Sequence, residues 1–132
     1  MRMSAKGVLL DTSVVIRHLR DRNAIVAKLL EYEEICLPYV ALAELYAGAY
    51  RSSRPEWHLD QISRFQEAVD LILPDDATTE IYGRISAQLV QAGTPIPQND
   101  IWIAAVALQT GLPLATADRH FELVPGLPIL IW

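Results

Sequence analysis

One cysteine, Cys36, stands in 132 residues, so the chain cannot close a disulfide on itself. It lies in the apolar stretch Ile35-Cys36-Leu37 and reads as a small buried hydrophobe. A lone thiol fits a reducing compartment, which makes the cytoplasm the expected location. No apolar run approaches the length of a bilayer span, so no membrane association is expected. Arg2 and Lys6 precede an apolar run, but that run is short and meets Asp11, which argues against a secretory leader. Repeats and low-complexity tracts are missing. So is the cysteine pair that a structural zinc site would need. His18, His58 and His120 are scattered without ligand spacing and read as surface or half-buried residues. What remains is a chain the size of one domain, residues 1–132, with 52% hydrophobic residues to build a core.

The net charge of −5 at first opposes a nucleic-acid partner. Its distribution matters more than its sum. There are 16 acids and 11 bases, and setting aside the four acids singled out below nearly cancels the excess. The bases also cluster: Arg17, Arg20 and Arg22 fall together, as do Arg51 and Arg54. Either group could hold phosphates, although any single arginine is more simply a solvated side chain.

Short apolar runs alternate with helical patterns along the whole chain. Gly7 to Leu10 reads as a buried strand, and Thr12 or Ser13 as the cap of a helix with Val14, Val15, Ile16 and Leu19 inward. Ala24 to Tyr32 has helical spacing, Ile35 to Pro38 reads as a strand, and Val40 to Tyr50 as an alanine-rich helix. Pro55 opens a helix with Leu59, Ile62, Phe65 and Val69 on one face. Leu71 to Leu73 is a third strand. Asp75 and Asp76 open a helix that runs to Gly93, and a further helix starts at Asn99 or Asp100 and stops at Gly111. Leu112 to Ala115, a short helix near His120 to Leu123, and a strand from Pro128 to Trp132 complete the series. This alternation predicts an α/β fold whose parallel sheet is covered on both faces. In such sheets the functional crevice lies at the carboxyl ends of the strands, where Asp11 and Asp118 both fall.

Four acids interrupt apolar sequence. Asp11 ends the first strand. Glu44 sits within Val40-Ala41-Leu42-Ala43-Glu44-Leu45-Tyr46-Ala47-Gly48. Asp100 precedes Ile101 to Leu108, and Asp118 lies in Thr116-Ala117-Asp118-Arg119-His120-Phe121. Each has a plain alternative: Asp11 and Asp100 as helix-start acids, Glu44 on a solvated helix face, Asp118 in a turn. A carboxylate among apolar residues is nevertheless costly unless it is paired or holds a cation. Hard oxygen donors suit Mg²⁺ or Mn²⁺, ions that polarise phosphodiesters and activate water. Gly48 costs its helix about 1 kcal/mol relative to Ala, which suggests close packing there.

With these segments in view, the chain resembles the PIN-domain family, and within it the VapC-type toxins of prokaryotic toxin–antitoxin pairs. The resemblance rests on Leu10-Asp11-Thr12-Ser13, Glu44-Leu45-Tyr46-Ala47-Gly48, Asn99-Asp100-Ile101-Trp102-Ile103-Ala104-Ala105 and Thr116-Ala117-Asp118-Arg119-His120-Phe121, in that order, and spans Val8 to the last strand. It implies a three-layer α/β/α domain with a central parallel sheet of about five strands. It implies a catalytic and metal-binding quartet of Asp11, Glu44, Asp100 and Asp118, supported by Thr12, Asn99 and Thr116. The implied activity is a Mg²⁺- or Mn²⁺-dependent endoribonuclease: in-line attack of metal-activated water on an RNA phosphodiester, leaving 5′-phosphate and 3′-hydroxyl ends. The implied partners are an RNA substrate, a second copy of the chain, and an antitoxin with a basic inhibitory segment. The helices around Tyr39-Val40-Ala41-Leu42 and Trp57-Leu59 could form dimer or antitoxin surfaces, or merely line the core.

Rival readings fit less well. A haloacid-dehalogenase-like phosphatase wants an aspartate two residues after the first, where this chain has Ser13. A phospho-receiver domain wants a lysine after its last strand, and no lysine follows Lys28. A catalytically silent interaction domain has no need of all four acids.

Overall fold

Gly7–Leu10 forms the first strand, β1, because four small or apolar residues can be buried on both faces of a sheet. In the computed structural model, which describes residues 6–132, β1 is central. Arg2, weighed above as part of a leader, lies outside the described residues. The other strands are β2 (Glu34–Pro38), β3 (Asp70–Ile72), β4 (Leu114–Thr116) and β5 (Ile129–Ile131). All pairings are parallel, in the order β3-β2-β1-β4-β5. The chain therefore builds outward from β1 to β3, then crosses back to place β4 on the other side of β1. That reversal opens a crevice at the carboxyl ends of β1 and β4.

The helices are α1 (Thr12–Arg20), α2 (Val26–Leu29), α3 (Tyr39–Arg51), α4 (Pro55–Gln66), α5 (Asp76–Gln91) and α6 (Gln98–Thr110), with a 3₁₀ turn at Arg119–Leu123. Strand alternation sorts the core into two layers. Leu9, Cys36 and Leu114 face Ile85, Leu89 and the helix segment Ile103–Ala107 of α5 and α6. Val8, Leu10, Leu37 and Ala115 face Val14, Val15, Leu45, Ile62 and Phe65 of α1, α3 and α4. The result is the expected three-layer α/β/α sandwich. Among the described residues no helix is long and apolar enough to cross a membrane.

Several local expectations shift. The first helix starts at Thr12, with Asp11 rather than Thr12 or Ser13 at the cap position. Ile16 is 42% exposed instead of inward, because a helix this short buries only the stripe through Val14 and Val15. The segment from Ala24 to Tyr32 contains a single helical turn, Val26–Leu29, anchored by the buried Ile25. β3 is Asp70–Ile72, leaving Leu73 67% exposed at the edge of the sheet. β4 starts at Leu114, two residues later than hydropathy suggests, since its ladder partners are Leu9 and Leu10. Gly111 ends α6 as expected, at φ 74°, a left-handed turn that glycine adopts without strain. Around Gly48 the close-packing expectation fails: a Cβ there would meet nothing within 4 Å.

Candidate active site

Three of the four acids sit where a strand or loop passes into a helical turn. Asp11 is the residue between β1 and α1, Asp118 caps the 3₁₀ turn after β4, and Asp100 lies in the first turn of α6. Unpaired backbone N–H groups at such starts favour negative charge. Glu44 comes from the middle of α3. The sheet reversal carries these elements to one edge, so residues far apart in sequence share the crevice.

Asp11 is 5% exposed, yet its side chain makes no capping bond. Instead Oδ2 accepts two hydroxyl donors, Ser13 Oγ at 2.7 Å and Thr116 Oγ1 at 2.8 Å. Those hydroxyls also lock β4 to α1: Ala117 N–H donates to Ser13 Oγ at 3.1 Å and Asp118 N–H to Thr116 Oγ1 at 2.9 Å. Each hydroxyl thus gives its proton to Asp11 and takes a backbone proton from the β4 exit. This aims one carboxylate and pins the turn that carries the next. Thr12, the neighbour on α1, donates to Glu44 Oε1 at 2.7 Å and ties α1 to α3.

Asp118 Oδ1 accepts the N–H of His120 at 3.1 Å and lies 2.8 Å from His120 Nδ1. His120 Nε2 lies 2.5 Å from Asp100 Oδ2. The imidazole is therefore clasped between two carboxylates. A neutral ring has one N–H and can donate it to only one of the two carboxylates at a time. Burial raises the Asp100 carboxyl above its ordinary range; the bond and charge of His120 oppose this, and the charges of Asp11 and Glu44 add to the rise. Two further acids thus act on Asp100 through the low-dielectric crevice.

Asp100, Asp118 and His120 offer donor atoms within 4.8 Å of one another, a set able to hold a metal ion. Asp11 and Glu44 lie outside that tight set. The chemistry of the donors, carboxylate oxygens with one imidazole, suits a hard or borderline divalent cation. His120 is the residue that sequence reasoning missed. It sat inside a motif already singled out, but its i+2 spacing from Asp118 carries meaning only once a strand end and a 3₁₀ turn bend it back. Ser13, read as a helix cap, was also missed as the donor to Asp11. Thr116 supports Asp11 with its proton and Asp118 through the backbone. Asn99 is exposed, and lines a groove with Tyr39, Val40, Ala43, Glu44, Ala47 and Trp102. Asp75, the receiver-like candidate, is a helix cap: it accepts Thr78 N–H at 3.2 Å and Gln109 Nε2 at 2.7 Å.

Comparison with known proteins agrees with this architecture. The PIN-domain family model matches residues 8–127. Ribonuclease VapC1 of Haemophilus influenzae (strain R2866) is 30% identical over 129 residues, covering 94% of this chain and 96% of its own. The tRNA(fMet)-specific endonuclease VapC of Shigella flexneri is 34% identical over 127 residues, with the same 94% and 96% coverage. A chain in the crystal structure of DNA-bound VapBC from Salmonella typhimurium superposes with a TM-score of 0.89 at 30% identity, over 97% of this chain and 98% of that one. The chain of four carboxylates at the carboxyl edge of a parallel sheet belongs to the PIN-domain family and, within it, to the VapC ribonucleases.

Proposed function

We propose that this ribonuclease is the toxin of a toxin–antitoxin pair and cleaves RNA internally at the crevice between β1 and β4, with Mg²⁺ or Mn²⁺ as its ion. The observation that carries the reading is the convergence of Asp100, Asp118 and His120 beside the hydroxyl-braced Asp11. Asp100 and Asp118 would hold the ion directly. Asp11 and Glu44 would complete its surroundings, Glu44 directly or through water, and His120 would add a nitrogen donor or give way to the ion. Such an ion, when bound, neutralises phosphate charge and lowers the pKa of water. The chain's own contribution is orientation. Ser13 and Thr116 hold Asp11 in one rotamer, Thr12 holds Glu44, and a carboxylate is available to accept the proton of the attacking water. Cleavage of this kind leaves 5′-phosphate and 3′-hydroxyl ends and makes no use of the 2′-hydroxyl.

An antitoxin reading is supported by the groove between α1, α3 and α4. Ile16, Leu19, Leu45, Trp57 and Ile62 line a cavity of 380 Å³ that reaches Glu44. An apolar segment laid there could extend a basic residue to the carboxylates and block them. The solved VapBC complexes of Salmonella typhimurium and Haemophilus influenzae favour such a partner, and we propose a homodimer as the working unit. The tRNA(fMet) specificity of the Shigella relative makes transfer RNA the first substrate to try. The test is cleavage of total cellular RNA by purified protein with Mg²⁺, Mn²⁺ or EDTA, beside Asp11→Asn. Discrete fragments that need both metal and Asp11 support the reading. Cleavage that survives EDTA and Asp11→Asn would overturn the site.

A further inference from the structure

The bases of this chain are not equally available. Arg64, Arg84 and Arg119 each pair with an acid one turn away, on Asp60, Glu80 and Glu122. Lys6 and Lys28 lie over the rings of Tyr32 and Trp132, and Arg54 lies over Trp57. Arg22 donates to Gln61 at 2.5 Å. Arg17, Arg20 and Arg51 are exposed, and among the described residues their guanidinium groups form no ion pair, hydrogen bond or ring contact; of the three, Arg17 and Arg20 stand together. These two line one groove of 370 Å³ with Ser13, Ile16, Asp21, Ala24 and Ala117, and Arg20 also borders the 380 Å³ cavity that reaches Glu44.

The position of that groove gives these charges a direction. Ser13, Arg17 and Arg20 are spaced i, i+4 and i+7, so they form one stripe along α1. The stripe begins at the hydroxyl that holds Asp11 and at Ala117, which precedes Asp118. At the helical rise, Arg17 and Arg20 stand about 6 and 10 Å along the axis from Ser13. Asp21 is the acid of the groove, and its Oδ1 accepts the N–H of Asn23 at 3.2 Å. The groove of Tyr39, Glu44, Asn99 and Trp102 is lined by no base among the described residues.

We infer that Arg17 and Arg20 form a phosphate-binding subsite, holding the backbone of the RNA strand where it leaves the cleavage site along α1. This rests on the ribonuclease reading above and extends it to a named part of the substrate. A strand approaching four carboxylates meets repulsion. Two free guanidinium groups on one exit path offset it, and they act on phosphate without reading sequence. The subsite therefore sets affinity and register on the strand rather than the base preference of the cut.

Steady-state cleavage of a single-stranded RNA oligonucleotide tests this in Arg17→Ala/Arg20→Ala. A second arm measures oligonucleotide binding against KCl concentration in the Asp11→Asn background. The double variant should raise KM roughly 10-fold with little change in kcat, and should lower the slope of log affinity against log salt by about 1.4, or about 0.7 per lost phosphate contact. Arg17→Lys/Arg20→Lys should restore most of the slope, while Arg64→Ala/Arg84→Ala should match wild type. Melting curves confirm that each variant folds. Wild-type cleavage with an unchanged KM and salt slope in the double variant overturns the arginine subsite alone. Absence of RNA cleavage and binding by the wild type overturns the ribonuclease reading and this subsite with it.

Discussion

Asp11 shows how one carboxylate can be buried and useful. Two hydroxyl donors on the same oxygen replace the water it loses, and both come from residues whose own backbone contacts hold the β4 exit. Ser13→Ala should leave the fold intact yet weaken metal affinity or cleavage about 10- to 100-fold, since the carboxylate loses one of the groups that aim it. Isothermal titration with Mn²⁺ and cleavage rates check this, and wild-type values in both would remove Ser13 from the site. Asp100 makes the opposite point. Its proton affinity is raised by burial first, then by Asp11 and Glu44. With the folded value above the unfolded one, its contribution is favourable at low pH and is lost as the carboxyl ionises with rising pH. Asp100→Asn should therefore melt higher than wild type without metal near neutrality, while losing cleavage. A lower melting temperature would show that the bond to His120 outweighs the relief of repulsion.

At the scale of elements, α5 is secured by its start. Asp75 and Thr78 form a capping box, and Gln109 of α6 donates to the same Asp75 oxygen. The Gln109 bond first, then the Thr78 backbone, lowers the Asp75 carboxyl from its ordinary 3.8. Its stabilisation is present above that pH and is lost as pH falls through the lower folded value. Asp75→Ala should lower the melting temperature by a few degrees near neutrality, and the difference from wild type should shrink in strong acid. Helix α3 offers a contrary case. Because a Cβ at Gly48 meets nothing, Gly48→Ala should stabilise the protein by about 0.5–1 kcal/mol through helix propensity. Urea unfolding decides it, and a loss of stability would restore the close-packing explanation that the sequence suggested.

For the molecule as a whole, clustered acids at one sheet edge make stability depend on what occupies them. A cation binding only the folded chain should raise the melting temperature, by about 2.7 kcal/mol of stability at 100 times its Kd. Differential scanning fluorimetry with Mg²⁺ and Mn²⁺ should show this shift in wild type and lose it in Asp100→Asn. On the other side of the sheet from α6, His18 packs on Phe65 at 5.8 Å with a buried Nδ1 that has no hydrogen-bond partner among the described residues. Burial, then Arg22, lowers its pKa from 6.5. The unfolded chain takes up this proton first, so the contribution is intact above pH 6.5 and falls away as pH drops through the folded value. Wild type should therefore lose more stability between about pH 7 and pH 5 than His18→Leu does.

The alternation of strands and helices, the parallel sheet, the start of α4 at Pro55, the span of α5 and the end of α6 at Gly111 were legible from the residues, because apolar spacing, proline at a helix start and glycine at its end act over a few positions. Val69, by contrast, read onto the face of α4, lies beyond its end at Gln66. The four acids stood out for the same local reason: each interrupts apolar sequence. Their relation to one another was not local. Whether Asp11 caps α1 or turns towards Thr116 depends on a contact 105 residues away, and only the return of the chain to β4 beside β1 creates it. His120 likewise carried no spacing signal until the 3₁₀ turn folded it between Asp118 and Asp100. Ile16 and Gly48 were misjudged because hydropathy and propensity cannot say where packing stops and a groove begins. Sequence determined which residues are able to do chemistry. The sheet reversal decided which of them meet, since it alone brings strand ends and helix starts to one crevice where their charges act on each other.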